Sequence, residues 1–395
     1  MPGPMHGIKI VDLSIALTGP WAAGILADQG ASVIKIETPG IGDLARWIGV
    51  ARGGISAVLQ MCNRGKRSMA VNLREEEGQQ IVRRLAARAD VFLQNFRPGV
   101  IERLGLGYET LRADNPDLVY ASISGFGDQG PYRDKSAYDP VVQAYGGLCH
   151  TESDIVSEEP RLLNQTPADK VTALIAAQAI SAALFARERG AGGQHLRIPM
   201  LEAVVNFVWT DAAGNEVLRD AEHDQPSSFA RGQKLWRYED GWAVAAPVSD
   251  ADFQAICRAH GVEGYDDPAV ATIVARRQNR GAVQAILDRV AEAAAGMGVA
   301  EAIRRMEADK APCGQVLSTA ELHADPHVQA IGMLIDSEHP TAGGLRQPRP
   351  PVRFEKTPAA LGGPAPTLGQ HTDELLRELG LGGEIARLRQ AGVVA

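Results

Sequence analysis

Short apolar runs alternate with helical patterns through the first half of the chain. The runs that predict β-strands are Ile8–Leu13, Ser32–Ile36, Arg67–Asn72, Asp90–Gln94 and Leu118–Ser124, with His195–Pro199 further along. Helical spacing of apolar residues between them predicts helices, such as Trp21–Gln29 and one that starts with an Asn72–Glu75 cap. Strands that alternate with helices favour a parallel, doubly wound sheet. We therefore predict an α/β fold for this half.

The pattern changes after about residue 220. In order, the second half contains a linker-like stretch Gln225–Ser228, a predicted β-hairpin Leu235–Ala246, charged helical segments over 251–310, a Pro- and Gly-rich connection over 340–368, and closing helices Thr372–Leu379 and Glu384–Gln390. We predict two domains. The large one comprises residues 1–220 completed by 331–395, and a smaller α+β domain comprises residues 228–330.

One long apolar helix carries an acidic residue near its start. Thr166 is the predicted N-cap, Pro167 the first helical residue, and Asp169 the third. So few polar residues follow that we expect the helix to be buried on most sides. Two interpretations of Asp169 remain open. It completes a Thr-x-x-Asp capping box, which this stretch alone favours, or it is a rigid, partly desolvated carboxylate suited to nucleophilic catalysis.

Composition narrows the classes of function. The chain has 395 residues and a formal net charge of −8, which argues against a nucleic-acid or anionic-membrane surface. The four cysteines form no CxxC pair, so we expect neither a zinc site nor a disulfide framework, and a reducing, cytoplasmic location. No signal peptide is apparent, and the run Val171–Ala186 falls short of the roughly 20 residues that span a bilayer.

Cofactor motifs are incomplete. Ile8–Glu37 has the order of a dinucleotide-binding unit, but its turn is not GxGxxG, and Pro20 lacks an N–H for a pyrophosphate. The histidines show no HExxH motif. We therefore predict no NAD and no metal. The Asn95–Gly99 loop follows a strand, where Arg97 and Arg103 could clamp phosphates and Phe96 could stack on a base.

An ordered set of motifs resembles the family III CoA-transferases, the group that includes formyl-CoA transferase and carnitine CoA-transferase. The segments that carry the resemblance are Gly7–Leu13, Gly19-Pro20, Leu26–Glu37, Gly42-Asp43 with Arg46, Asn63–Ser68, Asp90–Gly99, Ser124–Gly127 with Gly130–Tyr132, Asp169–Gly190 followed by Gly193–His195, and Pro364–Thr372. They cover nearly the whole chain.

The resemblance implies an activity and a set of site residues. Asp169 would be the nucleophile of an enzyme that moves CoA from an acyl-CoA to a free carboxylic acid, through an aspartyl anhydride and an aspartyl-CoA thioester. The residues implied to contact coenzyme A are Leu17, Thr18, Thr38, Val71, Asn72, Arg74, Asn95, Phe96, Arg97, Arg103, Ala137, Tyr138 and Asp139. The family also implies an interlocked homodimer of two ring-like subunits.

The chain departs from its relatives at two places and leaves alternatives open. Thr38 stands where formyl-CoA transferase has a CoA-binding arginine, and Ser227–Gln233 is the nearest counterpart of a glycine-run loop that covers the active site there. The α-methylacyl-CoA racemases look similar, but their histidine base would fall at Tyr138, and a phenol is a poor base at neutral pH. This mismatch favours a transferase over a racemase. A non-catalytic CoA-binding protein is a third possibility.

Overall fold

The computed structural model describes residues 1–154, 157–220 and 234–395. Its strands are β1 (Lys9–Asp12), β2 (Ser32–Glu37), β3 (Ala51–Arg52), β4 (Ile55–Ser56), β5 (Arg67–Ala70), β6 (Val91–Gln94), β7 (Val119–Ser124), β8 (His195–Pro199), β9 (Trp236–Arg237), β10 (Trp242–Ala245), β11 (Cys313–Gln315), β12 (Leu334–His339) and β13 (Gly343–Pro348). The predicted linker at 225–228 and the segment 227–233 lie outside the described residues.

The α-helices follow in the same chain order. They are α1 (Thr18–Asp28), α2 (Ala57–Asn63), α3 (Glu76–Ala86), α4 (Val100–Arg103), α5 (Tyr108–Asp114), α6 (Asp139–Tyr145), α7 (Leu148–Thr151), α8 (Pro167–Ala186), α9 (Met200–Trp209), α10 (Gly214–Val217), α11 (Asp250–Ala259), α12 (Ile273–Gln278), α13 (Arg280–Ala295), α14 (Val299–Ala308), α15 (Pro326–Ala330), α16 (Thr372–Glu378) and α17 (Ile385–Gln390). The chain divides into two compact units, residues 1–228 with 332–395, and residues 229–331.

The first unit is built on a six-stranded sheet in the order β5-β2-β1-β6-β7-β8. Every neighbouring pair is parallel, and Ile10 of β1 lies between Val33 of β2 and Val91 of β6. The chain runs outward from β1 in one direction and then resumes at β6 in the other. In such sheets the ligand crevice lies outside the carboxyl ends of the two strands at this switch point. The fold thus directs attention to the segments that follow β1 and β6.

Two apolar cores cover the two faces of this sheet because successive strand residues point to opposite sides. On one face Ile10 and Leu93 pack with buried residues of α1, α8 and α9. On the other face Val11 and Phe92 pack with α3, α5 and the closing helices α16 and α17. The C-terminal segment therefore completes the first unit. The parallel α/β sheet predicted from the alternating pattern is confirmed.

Helix α8 crosses the first core and packs against α1, α6 and α9. With the π-helical turn that follows, residues 167–191 are long and apolar enough to span a membrane by length and composition. One face is buried and lined by small residues such as Ala173 and Ala176, which is the arrangement of a core helix. The opposite face exposes Leu174 and Phe185, at 54% and 64%. The expectation that α8 is buried on most sides is therefore wrong for the single chain.

The second unit has its own sheet and core. Its strands pair antiparallel in the order β11-β10-β9, and Tyr238 N donates to Gly241 O in the turn between β9 and β10. The predicted hairpin is confirmed. Helices α11, α13 and α14 pack around buried Phe253, Val290 and Met306. Ser249 begins α11 with a complete capping box.

Two local predictions are wrong, and one element was not predicted. The predicted Asn72–Glu75 cap does not form, because α3 begins at Glu76 and the Asn72 side chain accepts from Arg74 N instead. The apolar pattern of residues 201–218 predicts one long helix, but the structure divides this segment into α9 and α10. The Pro- and Gly-rich connection contains part of an antiparallel hairpin, β12 with β13, that composition alone did not indicate.

Candidate active site

The loops that follow β1 and β6 are tied together at the switch point of the sheet. Ile15 N donates to Asn95 Oδ1 over 2.8 Å, and Asn95 Nδ2 donates to Ile15 O over 2.8 Å. This reciprocal pair fixes the two loops side by side. The predicted site residue Asn95 therefore holds the walls of the crevice together.

A cavity of about 360 Å³ opens at this crevice. It is lined by Ile15, Ala16, Thr18, Leu44, Asn95, Phe96, Arg97, Pro98, Val100, Ile123, Ser124, Gly125, Arg133, Lys135, Ala137, Tyr138, Asp169 and Met200. Its walls come from the ends of β1, β6 and β7 and from the N-terminus of α8. A cavity of this size and mixed polarity is typical of a small-molecule site.

Asp169 reaches this cavity from the first turn of α8. The helix begins at Pro167, as predicted, but the Thr166 side chain makes no capping hydrogen bond. The capping-box interpretation of Thr166 and Asp169 is therefore wrong. Instead, the Thr18 hydroxyl, at the first residue of α1, donates a hydrogen bond to Asp169 Oδ1. The carboxylate thus lies beside the starts of two helices, where negative charge is favoured.

Asp139 supports the start of α8 from a neighbouring helix. Its Oδ2 accepts a hydrogen bond from the Asp169 backbone N–H over 2.9 Å, and its Oδ1 accepts from Gln143 Nε2 over 2.6 Å. Gln143 Oε1 in turn accepts from Leu163 N over 3.1 Å. Asp139 is only 4% exposed. Its carboxylate therefore takes the capping position that the sequence pattern had assigned to Thr166.

The surroundings of Asp169 raise its pKa to about 6. Burial is the main cause because desolvation disfavours the ionised form, and the nearby negative charge of Asp139 acts in the same direction. The hydrogen bond from Thr18 opposes both effects. A carboxylate with such a pKa is ionised at neutral pH and is a better nucleophile than a solvated one.

The loop between β1 and α1 rests on buried charged groups. Ala16 has a left-handed backbone conformation, with φ of 68°, and its N–H donates to Asp43 Oδ1 over 2.7 Å. Lys35 Nζ pairs with Asp43 Oδ2 at 2.6 Å, and Lys66 Nζ pairs with Asp12 Oδ2 at 2.8 Å. Strained backbone persists where its surroundings over-determine it. This network holds the loop that places Thr18 against Asp169.

The structure brings many of the predicted site residues together. Those that line the cavity are Thr18, Asn95, Phe96, Arg97, Ala137, Tyr138 and Asp169. Leu17 directly precedes α1. Asp139 lies behind the first turn of α8, where it contacts the backbone of Asp169.

Other predicted residues lie away from the cavity. Val71 is buried in the second core and forms a bridge with Val394, and the Asn72 side chain donates to Gly392 O. Thr38 and Arg74 are exposed, after β2 and β5 respectively. Arg103 ends α4, close to Gly99. The roles of these residues in binding coenzyme A stay predictions.

The loop after β7 supplies lining residues that the sequence reasoning missed. Arg133 and Lys135 lie at the cavity, and the Lys135 ammonium stands 4.4 Å from the Tyr132 ring centre and 4.5 Å from that of Tyr145. Such cation–aromatic contacts restrain a long side chain. The available signal was position alone, because this basic loop follows the carboxyl end of a strand next to β6.

No group of three or more His, Cys, Asp and Glu side chains is placed to hold a metal ion within the described ranges 1–154, 157–220 and 234–395. All four cysteines, Cys62, Cys149, Cys257 and Cys313, are free thiols. Burial raises the pKa of the Cys62 thiol to about 12, which leaves it a poor nucleophile. Asp169 is the carboxylate among the residues that line the cavity.

Comparison with known proteins places this chain in a family. Residues 5–372 match the family model "CoA-transferase family III". The chain is 32% identical to the succinate–glutarate CoA-transferase of Agrobacterium fabrum, covering 95% of this chain and 96% of that one. It is also 32% identical to the formyl-CoA:oxalate CoA-transferase of Streptomyces avermitilis over 100% of both chains.

A solved structure agrees with these sequence matches. The crystal structure of a CAIB/BAIF family protein from Brucella suis superposes with a TM-score of 0.82 and 32% identity. The match covers 96% of this chain and 100% of that one. The family model matches most of the chain, and the two relatives are 32% identical to it over nearly their whole length. Together these matches assign the chain to a family. The chain belongs to CoA-transferase family III and is an enzyme that transfers CoA.

Proposed function

We propose that this enzyme moves CoA from an acyl-CoA to a free carboxylic acid, with Asp169 as the covalent nucleophile. The observation that carries this proposal is the position of the Asp169 carboxylate. It lines the cavity at the switch point of the sheet, is partly buried, and accepts a hydrogen bond from Thr18. Its raised pKa of about 6 gives it nucleophilic strength while leaving it ionised at neutral pH.

The proposed reaction exchanges acyl groups of similar energy and needs no ATP. Asp169 attacks the thioester carbonyl of the acyl-CoA, which forms a mixed anhydride and releases CoA thiolate. The thiolate attacks the aspartyl carbonyl, which forms an aspartyl-CoA thioester and releases the donor acid with one oxygen of Asp169. The acceptor carboxylate attacks that thioester and again releases thiolate, which then attacks the acceptor's acyl carbon and frees Asp169.

We propose short dicarboxylic acids as acceptor substrates. The related enzymes are named for glutarate, oxalate and mesaconate among their substrates. The cavity that Asp169 lines is also lined by the cations Arg97, Arg133 and Lys135, although the chain as a whole has a net charge of −8. These cations also suit the phosphates of coenzyme A. The acceptor preference is tested separately by measuring CoA transfer to mono- and dicarboxylic acids of equal length.

We further propose that two chains form the interlocked homodimer of the family. The outer face of α8 exposes Leu174 and Phe185, and α9 exposes Phe207 and Trp209, at 52% and 47%. Exposed apolar faces of this kind mark association surfaces.

We also propose a cytoplasmic location. The four cysteines are free thiols, which is consistent with a reducing compartment.

Mass spectrometry of the protein incubated with succinyl-CoA tests the nucleophile. We expect a hydroxylamine-sensitive adduct on the peptide that contains Asp169. Asp169→Asn keeps the size of the side chain and should form no adduct and transfer no CoA. Asp154→Asn, which changes an aspartate outside the cavity, is the matched control and should behave like the wild type. Transfer by the Asp169→Asn variant would contradict the proposal.

The alternatives make different predictions in the same preparation. A racemase would incorporate deuterium at the α-carbon of a 2-methylacyl-CoA in D2O without any acceptor acid. A non-catalytic CoA-binding protein would bind CoA and give no turnover with any of the mono- and dicarboxylic acids. We expect acid-dependent turnover and no deuterium incorporation.

A further inference from the structure

We propose that Asp139 is a positioning residue that drives acylation of Asp169 by destabilising its free carboxylate. This inference rests on the proposed role of Asp169 as the nucleophile. It assigns different roles to two carboxylates: Asp169 reacts, and Asp139 positions Asp169. The geometry points to two separate contributions of Asp139, its hydrogen bond and its charge.

The first contribution is mechanical. Asp139 Oδ2 accepts the Asp169 backbone N–H at 2.9 Å, so it fixes the residue whose side chain reacts. Gln143 holds the other oxygen at 2.6 Å and is itself bonded to Leu163 N, on the segment that leads into α8. Asp139 begins α6, and α6 packs against α8. The position of Asp169 is therefore fixed by a contact with α6 in addition to the backbone of α8 itself.

The second contribution is electrostatic. Asp139 is 4% exposed, so water screens its charge poorly, and it lies against the residue that carries the second carboxylate. The negative charge of Asp139 repels that of the Asp169 carboxylate, which disfavours the ionised form of Asp169. Protonation of Asp169 removes that repulsion, and so does formation of the aspartyl-CoA thioester, because the negative charge then leaves with the released donor acid. The repulsion that raises the pKa therefore also favours the acylated enzyme.

Other groups surround Asp169 and must be distinguished from Asp139. They are the Thr18 hydroxyl from α1, the Cys62 thiol from α2, Lys170 beside it on α8, and Arg97, Arg133, Lys135 and Tyr138 around the cavity. The Lys170 ammonium donates to Gln165 Oε1 at 3.0 Å. None of these groups is a carboxylate. Removing the charge of Asp139 therefore lowers the pKa of Asp169, whereas removing the charge of a neighbouring cation raises it.

Asp139→Asn removes the charge and keeps one oxygen for the N–H of Asp169, while its NH2 group takes the place of the oxygen that accepts from Gln143 Nε2. We expect the acid limb of the pH profile for kcat/KM to move to lower pH by about 0.5 to 1 unit. The ratio of acylated to free enzyme at equilibrium with acyl-CoA and free acid should fall by about three- to tenfold, since one pKa unit corresponds to a tenfold change in the ratio.

Asp139→Glu is the conservative variant and retains the charge while displacing the acceptor. We expect kcat to fall about tenfold or more because the nucleophile is misplaced, with an unchanged acid limb. This variant also keeps the proposal testable if Asp139→Asn does not fold. In that case a wild-type kcat for Asp139→Glu overturns the positioning role.

Asp240→Asn is the matched control. Asp240 Oδ1 also accepts the N–H at the start of a helix, Val299 N at 2.7 Å, but it lies in the second unit. It should leave the acid limb and the acylated fraction at wild-type values. A wild-type acid limb together with a wild-type acylated fraction in Asp139→Asn overturns the inference. If instead Asp169→Asn retains transfer activity, the proposed function itself has failed.

Discussion

The environment of the Asp169 carboxylate imposes a cost on the folded protein. Its pKa is about 6 in the fold against 3.8 for an ordinary aspartate. Between these values the folded state binds more protons than the unfolded state, so stability falls as the pH rises from about 4 to 6. At pH 7 the penalty is on the order of 2 to 3 kcal/mol. The ionised Asp169 carboxylate therefore lowers the stability of the folded protein at neutral pH.

Asp169→Asn is therefore expected to stabilise the protein at pH 7.5 while abolishing CoA transfer. The amide removes the buried charge, and its oxygen can still accept from Thr18. The gain should approach 2 to 3 kcal/mol as an order-of-magnitude figure and disappear by about pH 3, below both pKa values, where Asp169 is protonated in the folded and the unfolded state. Urea unfolding at both pH values measures it. An effect of the substitution that is equal at both pH values would show that the pKa of Asp169 is not raised.

The hydroxyl of Thr18 is expected to set the lower limit of the working pH. Its hydrogen bond lowers the pKa of Asp169, so Thr18→Val should raise that pKa and move the acid limb of kcat/KM to higher pH. Valine keeps the shape of threonine, which is 3% exposed. Thr18→Ser retains the hydroxyl and serves as the control. An acid limb that moves equally in both variants would contradict this role.

At the scale of elements, the site exists because helix α1 packs closely against its neighbours. A Cβ atom on Gly24 would lie 2.6 Å from the carbonyl oxygen of Cys62 at the end of α2. Backbone cannot yield at that distance as a flexible side chain could. The glycine thus allows α1 to approach α2 and to place Thr18 beside Asp169.

Gly24→Ala is expected to destabilise the protein by about 1 to 3 kcal/mol through overpacking. Gly281→Ala provides the contrast because Gly281 lies in α13 with nothing within 4 Å of the added Cβ. That change should stabilise the helix by about 0.5 to 1 kcal/mol. Denaturant unfolding of both variants measures the difference. A neutral or stabilising Gly24→Ala would refute the close-packing account.

The sequence predicted the sheet well because parallel strands are buried on both faces and appear as continuous apolar runs. The His195–Pro199 strand has the predicted bounds, and Val91–Gln94 differs by one residue. The start of α8 at Pro167 was also predictable from local capping rules. Its true cap was not, because Asp139 lies 30 residues earlier in the chain.

At the site, too, local patterns and motifs were predictable, whereas contacts between residues far apart in the chain were not. The resemblance placed Asp169, Phe96 and Tyr138 at one cavity, where the structure also has them. The buried pair of Lys35 and Asp43 beneath the loop was invisible to patterns, because its partners meet only after the sheet forms. Strand order resembles that of dinucleotide-binding proteins, but the carboxylate of Asp169 lies at the start of α1, where a pyrophosphate would need free N–H groups.

At the scale of the whole molecule, the exposed apolar faces of α8 and α9 predict a stable dimer. Light scattering should give about 84 kDa, twice the 42.1 kDa of one chain. Phe185→Asp should weaken the dimer because it places a charge on an apolar surface that a partner covers. A wild-type protein of 42.1 kDa at micromolar concentration would contradict the proposed assembly.

The most direct test of the central claim follows oxygen atoms. In the proposed cycle the acceptor acid leaves one of its carboxylate oxygens on Asp169, and the next turnover passes an oxygen of Asp169 to the released donor acid. Turnover with an ¹⁸O-labelled acceptor in unlabelled water should therefore increase the mass of the peptide containing Asp169 by about 2 or 4 Da, from one or two exchanged oxygens. Direct transfer between the two substrates would leave that peptide unlabelled, and an unlabelled Asp169 after many turnovers would contradict the account.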